Sequence, residues 1–403
     1  MQNIAESGVT LTLEPPDQTG LGSVWSRLGH RSDRTLDRLL RGSYWKPKAL
    51  AVIVLMTLFR AFPSYDALRW PYVESTWLHM QPLLEHPLSD PAKFSFAEKD
   101  ARLTNLRFRR TIPVLAYALN LRRNGLLFIF AVSGIVLLLG TLHTVERVTS
   151  SRKAAFLVCL AVACAWPGEA AFHDLRGGYF DAVALCLLVL ALALSSPVPV
   201  ALCVFLAAWT DERALLASAF VLLFAISRSP KTGWGSLKCG KPLGVMAAWV
   251  AYLATRAWLT SFDSLATTSG GLGLTAFTQQ LNAVPLGIWT GLGGCWILTG
   301  CGVVSCIFQK RHWMSVFFCG ALLLLAALAA AITDITRTMS YGLPAVFLAL
   351  NLLACGEPVR RIERVALLSA AVAFATPTYY VQGSSGFWWI YPLPVHLVRW
   401  FFT

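Results

Sequence analysis

Four short stretches set arginine beside carboxylate, or arginine beside arginine, within otherwise apolar sequence: LRFRRTIPVL (106–115), HDLRGGYFD (173–181), TDERALL (210–216) and TDITRTMSYGLP (333–344). A guanidinium presents a planar fork of donors that grips phosphate or carboxylate through paired hydrogen bonds, and it stays charged even near lipid. Arg109, Arg110, Arg176, Arg213 and Arg337, with Arg256 in ATRAWLT, are therefore candidates for holding an anionic group, against simple ion pairing or anchoring to lipid phosphates. Asp174, Asp211, Glu212 and Asp334 are their carboxylate neighbours, and Asp334 and Arg337 sit three apart, on one face of a helical turn. His173 beside Asp174 offers a base or a metal ligand, although one His-Asp step is a weak signal. Asp66, in FRAFPSYDALRWPYVEST, directly follows the first apolar run. A carboxylate fixed there could accept a proton from a hydroxyl as general base, or serve as a helix cap.

The elements that must position these residues are apolar. The 403 residues are 56% hydrophobic and only 14% charged, where a globular chain usually carries about 25% charged residues. Apolar runs recur from Ala49 onward, several approaching the roughly 17 to 25 residues of a bilayer-spanning helix. The expected fold is all-α: a polytopic transmembrane helical bundle of about 11 (10–13) spans with a large first external loop containing a half-helix. The spans fall at about 49–62, 125–142, 154–166, 179–194, 198–210, 213–227, 242–260, 284–307, 313–332, 340–355 and 363–376. The half-helix is TIPVLAYALNL (111–121), roughly 16 Å long and too short to cross.

Charge placement sets an orientation. The net charge is +13. Arg147, Arg152, Lys153, Arg228, Lys231, Lys238, Lys241, Lys310, Arg311, Arg360, Arg361 and Arg364 fall in one set of short loops; Arg176, Arg213, Arg256 and Arg337 fall in the other. The positive-inside rule makes the first set cytoplasmic. Residues 1–48 form a basic cytoplasmic tail without a secretory signal, 49–376 the transmembrane bundle with external loop 63–124, and 377–403 an aromatic segment, either interfacial or a twelfth span. The ten cysteines form no CxxC pair and read as small buried hydrophobes. No GxGxxG, P-loop, HExxH or GxSxG is present, no cofactor is expected, and a divalent metal has no support in the sequence.

The external loop with Asp66 after the first span, the basic residues ahead of the half-helix in LRFRRTIPVL, the TDERALL turn and DITRTMSYGLP together resemble the GT-C superfamily of integral membrane glycosyltransferases, over roughly residues 49 to 376. The resemblance implies a membrane enzyme that moves a sugar from a polyprenyl-phosphate donor to an acceptor on the non-cytoplasmic face. It implies Asp66 as the base of an inverting displacement, with Arg110, Arg213, Arg256 and Arg337 offsetting charge on the phosphate leaving group. The expected partners are the lipid-linked donor and membrane lipids, not nucleic acid. The expected location is a bacterial inner membrane, with the site facing the periplasm or exterior. Two other readings stand beside it: a transporter or lipid flippase, and a non-catalytic membrane protein of envelope assembly.

Overall fold

Alanine- and leucine-rich runs can close helices without leaving polar side chains stranded, because the hydroxyls inside them bond back to their own backbone. Thr57, Thr141, Thr149 and Thr290 each donate to the carbonyl four residues earlier, at 2.8 to 2.9 Å. In the computed structural model the residues described are 35–60, 83–87, 108–121, 123–172, 180–229, 240–263, 273–383, 386–389 and 391–402. They begin with α1 (Trp45–Arg60), α2 (Thr111–Ala118), α3 (Arg123–Thr149), α4 (Arg152–Ala163), α5 (Trp166–Phe172) and α6 (Asp181–Ala193). Next come α7 (Pro197–Thr210), α8 (Arg213–Ser227), α9 (Gly240–Asp263), α10 (Leu274–Gln280), α11 (Val284–Leu292) and α12 (Cys295–Phe308). The last are α13 (His312–Ala331), α14 (Ile335–Ser340), α15 (Leu343–Gly356), α16 (Val359–Ala375), a hairpin of β1 (Tyr379–Gln382) and β2 (Gly386–Trp389), and α17 (Leu393–Phe402). The two strands pair antiparallel, Tyr379 opposite Trp389, within the segment after residue 376.

One apolar core runs through α3, α4, α6, α8 and α15. Every residue of α4 from Ala154 to Ala163 is buried, as is every residue of α15 from Leu343 to Leu353. Ser151 starts α4: its hydroxyl accepts the Ala154 N–H at 3.1 Å and donates to Glu363 at 2.6 Å, which ties α4 to α16. Close approach of α12 to α15 depends on Gly302, where a Cβ would lie 2.4 Å from the Ala349 Cα.

This packing corrects the expected eleven-span bundle. Among the described residues three stretches are long and apolar enough to cross a membrane: Gly125–Thr149, His312–Ala331 and Ile335–Gly356. A fourth exists only if α11 and α12, bent by 88° between them, count as one span. The other apolar runs fold into helices that are shorter or, as in the 24-residue α9, not apolar enough. With 12, 13, 14 and 15 residues, α4, α6, α7 and α8 reach only about 18 to 23 Å of a core about 30 Å thick. Their apolarity is explained by burial against one another, a demand that lipid and a helical protein core make alike. The three long stretches are consistent with association with a membrane.

Candidate functional site

Asp181 begins α6, Arg213 begins α8 and Arg337 lies in α14, so three helix starts meet at one end of the bundle. Arg337 Nε donates to Asp181 Oδ2 at 2.7 Å, and its Nη2 donates to Oδ1 at 3.2 Å. Arg213 Nη2 donates to the same Oδ1 at 3.2 Å, and the Tyr341 hydroxyl does so at 2.9 Å. Asp181 thus joins two guanidinium groups and a phenol while only 2% exposed.

The TDER turn supplies the second carboxylate. Asp211 Oδ1 accepts the backbone N–H of Arg213 at 3.0 Å, holding the start of α8, and Arg213 Nε at 2.7 Å. Its Oδ2 accepts Arg213 Nη2 at 2.6 Å and lies 3.1 Å from Arg109 Nη2, which arrives from just ahead of α2. Burial alone would raise the Asp211 pKa. The guanidinium groups of Arg109 and Arg213 outweigh it and hold the carboxyl well below the usual carboxylate range. For Arg109, burial favours the neutral form, but Asp211 and Glu212 overcome it and keep the guanidinium charged. Asp334 completes the set: Oδ2 accepts Arg337 Nη1 at 2.8 Å, and Oδ1 accepts the Tyr380 hydroxyl at 2.9 Å.

Arg109, Arg213 and Arg337 are matched by Asp181, Asp211 and Asp334, so this cluster has no excess charge of its own. The two buried aspartates are occupied by arginine on every oxygen, which leaves neither as a free base.

Its outer edge is different. Arg109 Nε, Trp209 Nε1 and Glu212 Oε2 are buried and have no hydrogen-bond partner among the described residues. Arg109 Nε and Glu212 Oε2 are 3.8 Å apart, too far for a hydrogen bond. Beside them Phe108, Trp209 and Tyr252 form an aromatic cluster, with Trp209 edge-on to Tyr252 at 5.2 Å. Arg256 lies 4.1 Å over the Phe108 ring and donates to the Tyr252 hydroxyl at 2.7 Å.

A second buried ion pair lies at the end of α1. Arg60 Nη1 donates to Glu169, which is fully buried in α5, while its Nη2 donates to the Thr376 carbonyl and, at 2.8 Å, to the Thr378 hydroxyl. Burial raises the Glu169 pKa, and Arg60 and Thr378 offset it only in part.

Of the residues singled out by sequence, Asp211, Glu212, Arg213, Asp334, Arg337 and Arg109 come together, and Arg256 borders them. Arg110 turns away to the Pro87 carbonyl. Asp66, His173, Asp174 and Arg176 lie outside the described residues. Sequence reading marks Asp181 and Glu169 only as acids of the PGEAAFHDLRGGYFD stretch; it misses Asp181 as the junction, Tyr341, Tyr252 and the pairing of Arg60 with Glu169. The only available signal for Asp181 was a carboxylate at the first position of an apolar run, which a helix start explains equally well. Among the described residues, no group of three or more His, Cys, Asp or Glu could hold a metal ion.

No family model, no curated protein and no solved structure matches this chain. With three or four candidate spans among the described residues, the architecture also departs from the fully embedded bundle of a GT-C glycosyltransferase. The GT-C resemblance, and the enzyme built on it with Asp66 as base and a lipid-linked sugar as donor, are corrected accordingly. So are the transporter, flippase and envelope-assembly readings, which required the same many-span bundle.

Proposed function

We propose that the chain is a membrane-anchored binding protein that takes a small neutral ligand at the edge of its buried charge cluster. The observation that carries this reading is the set of three buried polar atoms with no hydrogen-bond partner among the described residues: Arg109 Nε and Glu212 Oε2, which form only a loose ion pair at 3.8 Å, and Trp209 Nε1. Leaving a buried polar atom unpaired costs about 1 to 3 kcal/mol, and a hydroxyl or amide that both accepts and donates would offset that cost. The cluster behind is already neutralised, which favours an uncharged ligand over an anion. Phe108, Trp209 and Tyr252 supply flat apolar surface beside the polar atoms, the usual composition of a small-molecule site.

In this reading the bundle stands with its basic end, carrying Arg147, Arg228, Lys241, Lys310 and Arg311, at the cytoplasmic face and the charge cluster at the other. The test is thermal unfolding of the full chain in neutral detergent, with myo-inositol and acetamide as neutral probes and inorganic phosphate as the charged control. Neutral probes should raise the midpoint of the parent chain and leave Trp209→Phe and Glu212→Gln unmoved. Equal responses in parent and variants, or a response to phosphate that depends on Trp209, would contradict the proposal.

A further inference from the structure

At the opposite end, three cations meet with no ion-paired carboxylate among the described residues. Arg147 closes α3, Arg228 follows α8 and Lys241 opens α9. Lys241 Nζ donates to the Leu192 and Leu194 carbonyls at 2.6 and 3.0 Å, at the finish of α6. Arg147 Nη1 donates to the Ala193 carbonyl at 3.2 Å, and its Nη1 and Nη2 reach Ser195 Oγ at 3.5 and 3.4 Å. Arg228 Nη1 donates to Asn351 Oδ1 at 3.2 Å, and Asn351 in turn donates to the Ser227 hydroxyl at 2.9 Å. The Phe224 ring lies between Arg228 and Lys241, 5.8 and 5.3 Å from their charges.

Capping of the α6 carbonyls accounts for Lys241 and for one nitrogen of Arg147. It does not account for Arg228, which reaches the same place from α8 and spends a single nitrogen on Asn351. Nor does it account for three like charges held together, since each disfavours the next. Burial, then the charges of Arg147 and Arg228, lower the Lys241 ammonium to about 7, and Arg228 is lowered by burial and by Arg147. The groups facing Lys241 are Arg147 on α3 and Arg228 after α8. α6 offers only carbonyls, and α15 contributes Asn351 and the Cys355 thiol near Arg228. Among the described residues no ion pair to a carboxylate relieves the three cations, in contrast to Lys46 and Arg152 nearby, which both reach Glu146.

We propose that Arg147, Arg228 and Lys241 form a binding site for a phosphate group, carried either by a lipid headgroup or by a small soluble ester. Two guanidinium forks and an ammonium match the charge and the several acceptor oxygens of a phosphate. The site sits at the end of a membrane-length helix, where headgroup phosphates lie. It is independent of the aromatic edge described above, so either can fail alone.

Sulfate is the first probe because its charge does not change between pH 6 and 8. With the full chain in neutral detergent, sulfate should raise the unfolding midpoint at pH 6 beyond chloride at equal ionic strength. Its affinity should weaken about tenfold by pH 8 as Lys241 loses its proton. Arg228→Gln and Lys241→Met should each abolish the sulfate-specific shift, and Arg147→Gln gives the same reading if either fails to fold. Mixed micelles with phosphatidic acid, compared with phosphatidylcholine, identify the source. Stabilisation by phosphatidic acid that needs Arg228 supports a headgroup, and stabilisation by sulfate or inorganic phosphate supports a soluble ester. Shifts equal to chloride, or shifts of the same size in the parent and all three variants, overturn the site.

Discussion

The two ends of this helical bundle handle charge in opposite ways. At one end Asp181, Asp211 and Asp334 pair with Arg109, Arg213 and Arg337 largely away from solvent, and the three charges of each sign balance. At the other, Arg147, Arg228 and Lys241 crowd together with helix carbonyls and the Asn351 side chain as partners and no counter-ion among the described residues. A charge deep in protein is costly unless paired, so the first end needs a complete set of partners to fold at all. The second end is closer to water, where repulsion is weaker and an external anion can supply the missing charge. The first arrangement therefore fixes structure, and the second leaves something to bind.

Substitutions that break one end and not the other sharpen this contrast. The largest effect is expected from Asp181→Ala, which leaves Arg213 and Arg337 without their shared carboxylate. A loss of about 3 to 5 kcal/mol, measured by denaturant unfolding in detergent, is the expected cost of removing one partner of a buried pair. Asp211→Asn should cost on the order of 3 kcal/mol near neutral pH for the same reason. Because the folded-state pKa of Asp211 is depressed, its contribution is present above about pH 3.9, the unfolded value, and is lost as pH falls through the folded value. The gap between parent and variant should close on acidification.

Glu169 should show the opposite sign. Its folded-state pKa is raised, so its contribution is full below about pH 4.3 and fades as pH rises through the folded value. Glu169→Gln should therefore gain on the parent chain as pH increases from 4 to 7. A variant that loses ground over that range would mean that Arg60 governs the carboxylate more than burial does. The smallest effect belongs to the basic end: Lys46→Met, which removes a half-exposed pair with Glu146 at 2.8 Å, should cost less than about 1 kcal/mol.

Sequence reading located the helices well where hydroxyls, prolines and charges punctuate apolar runs, as at Thr210–Arg213 and Pro197. It failed on what surrounds those helices. Ala154–Ala163 is as apolar as lipid-facing sequence, yet it is buried in protein on all sides. Only length separates the two cases, and short polar gaps blur length in a one-dimensional reading. For the charge cluster, local pairs such as Asp334 and Arg337, or Asp211 and Arg213, are visible from spacing. Asp181 meets Arg337 across 156 residues, and Arg60 meets Glu169 across 109, so their partners could not be inferred from neighbours. Arg213 illustrates the limit: a cation at the positive start of a helix is stabilised by two aspartates, one of them 32 residues away.

The most direct test of the difference between the ends is a pair of double-mutant cycles, Asp181→Asn with Arg337→Gln and Lys46→Met with Glu146→Gln. Unfolding free energies in one detergent at pH 7 and fixed salt give both coupling energies. The buried pair should couple by about 2 kcal/mol or more, insensitive to added chloride, and the half-exposed pair by less than about 0.5 kcal/mol. Equal couplings, or a buried coupling that salt removes, would contradict the view that one end is a closed, self-neutralised network.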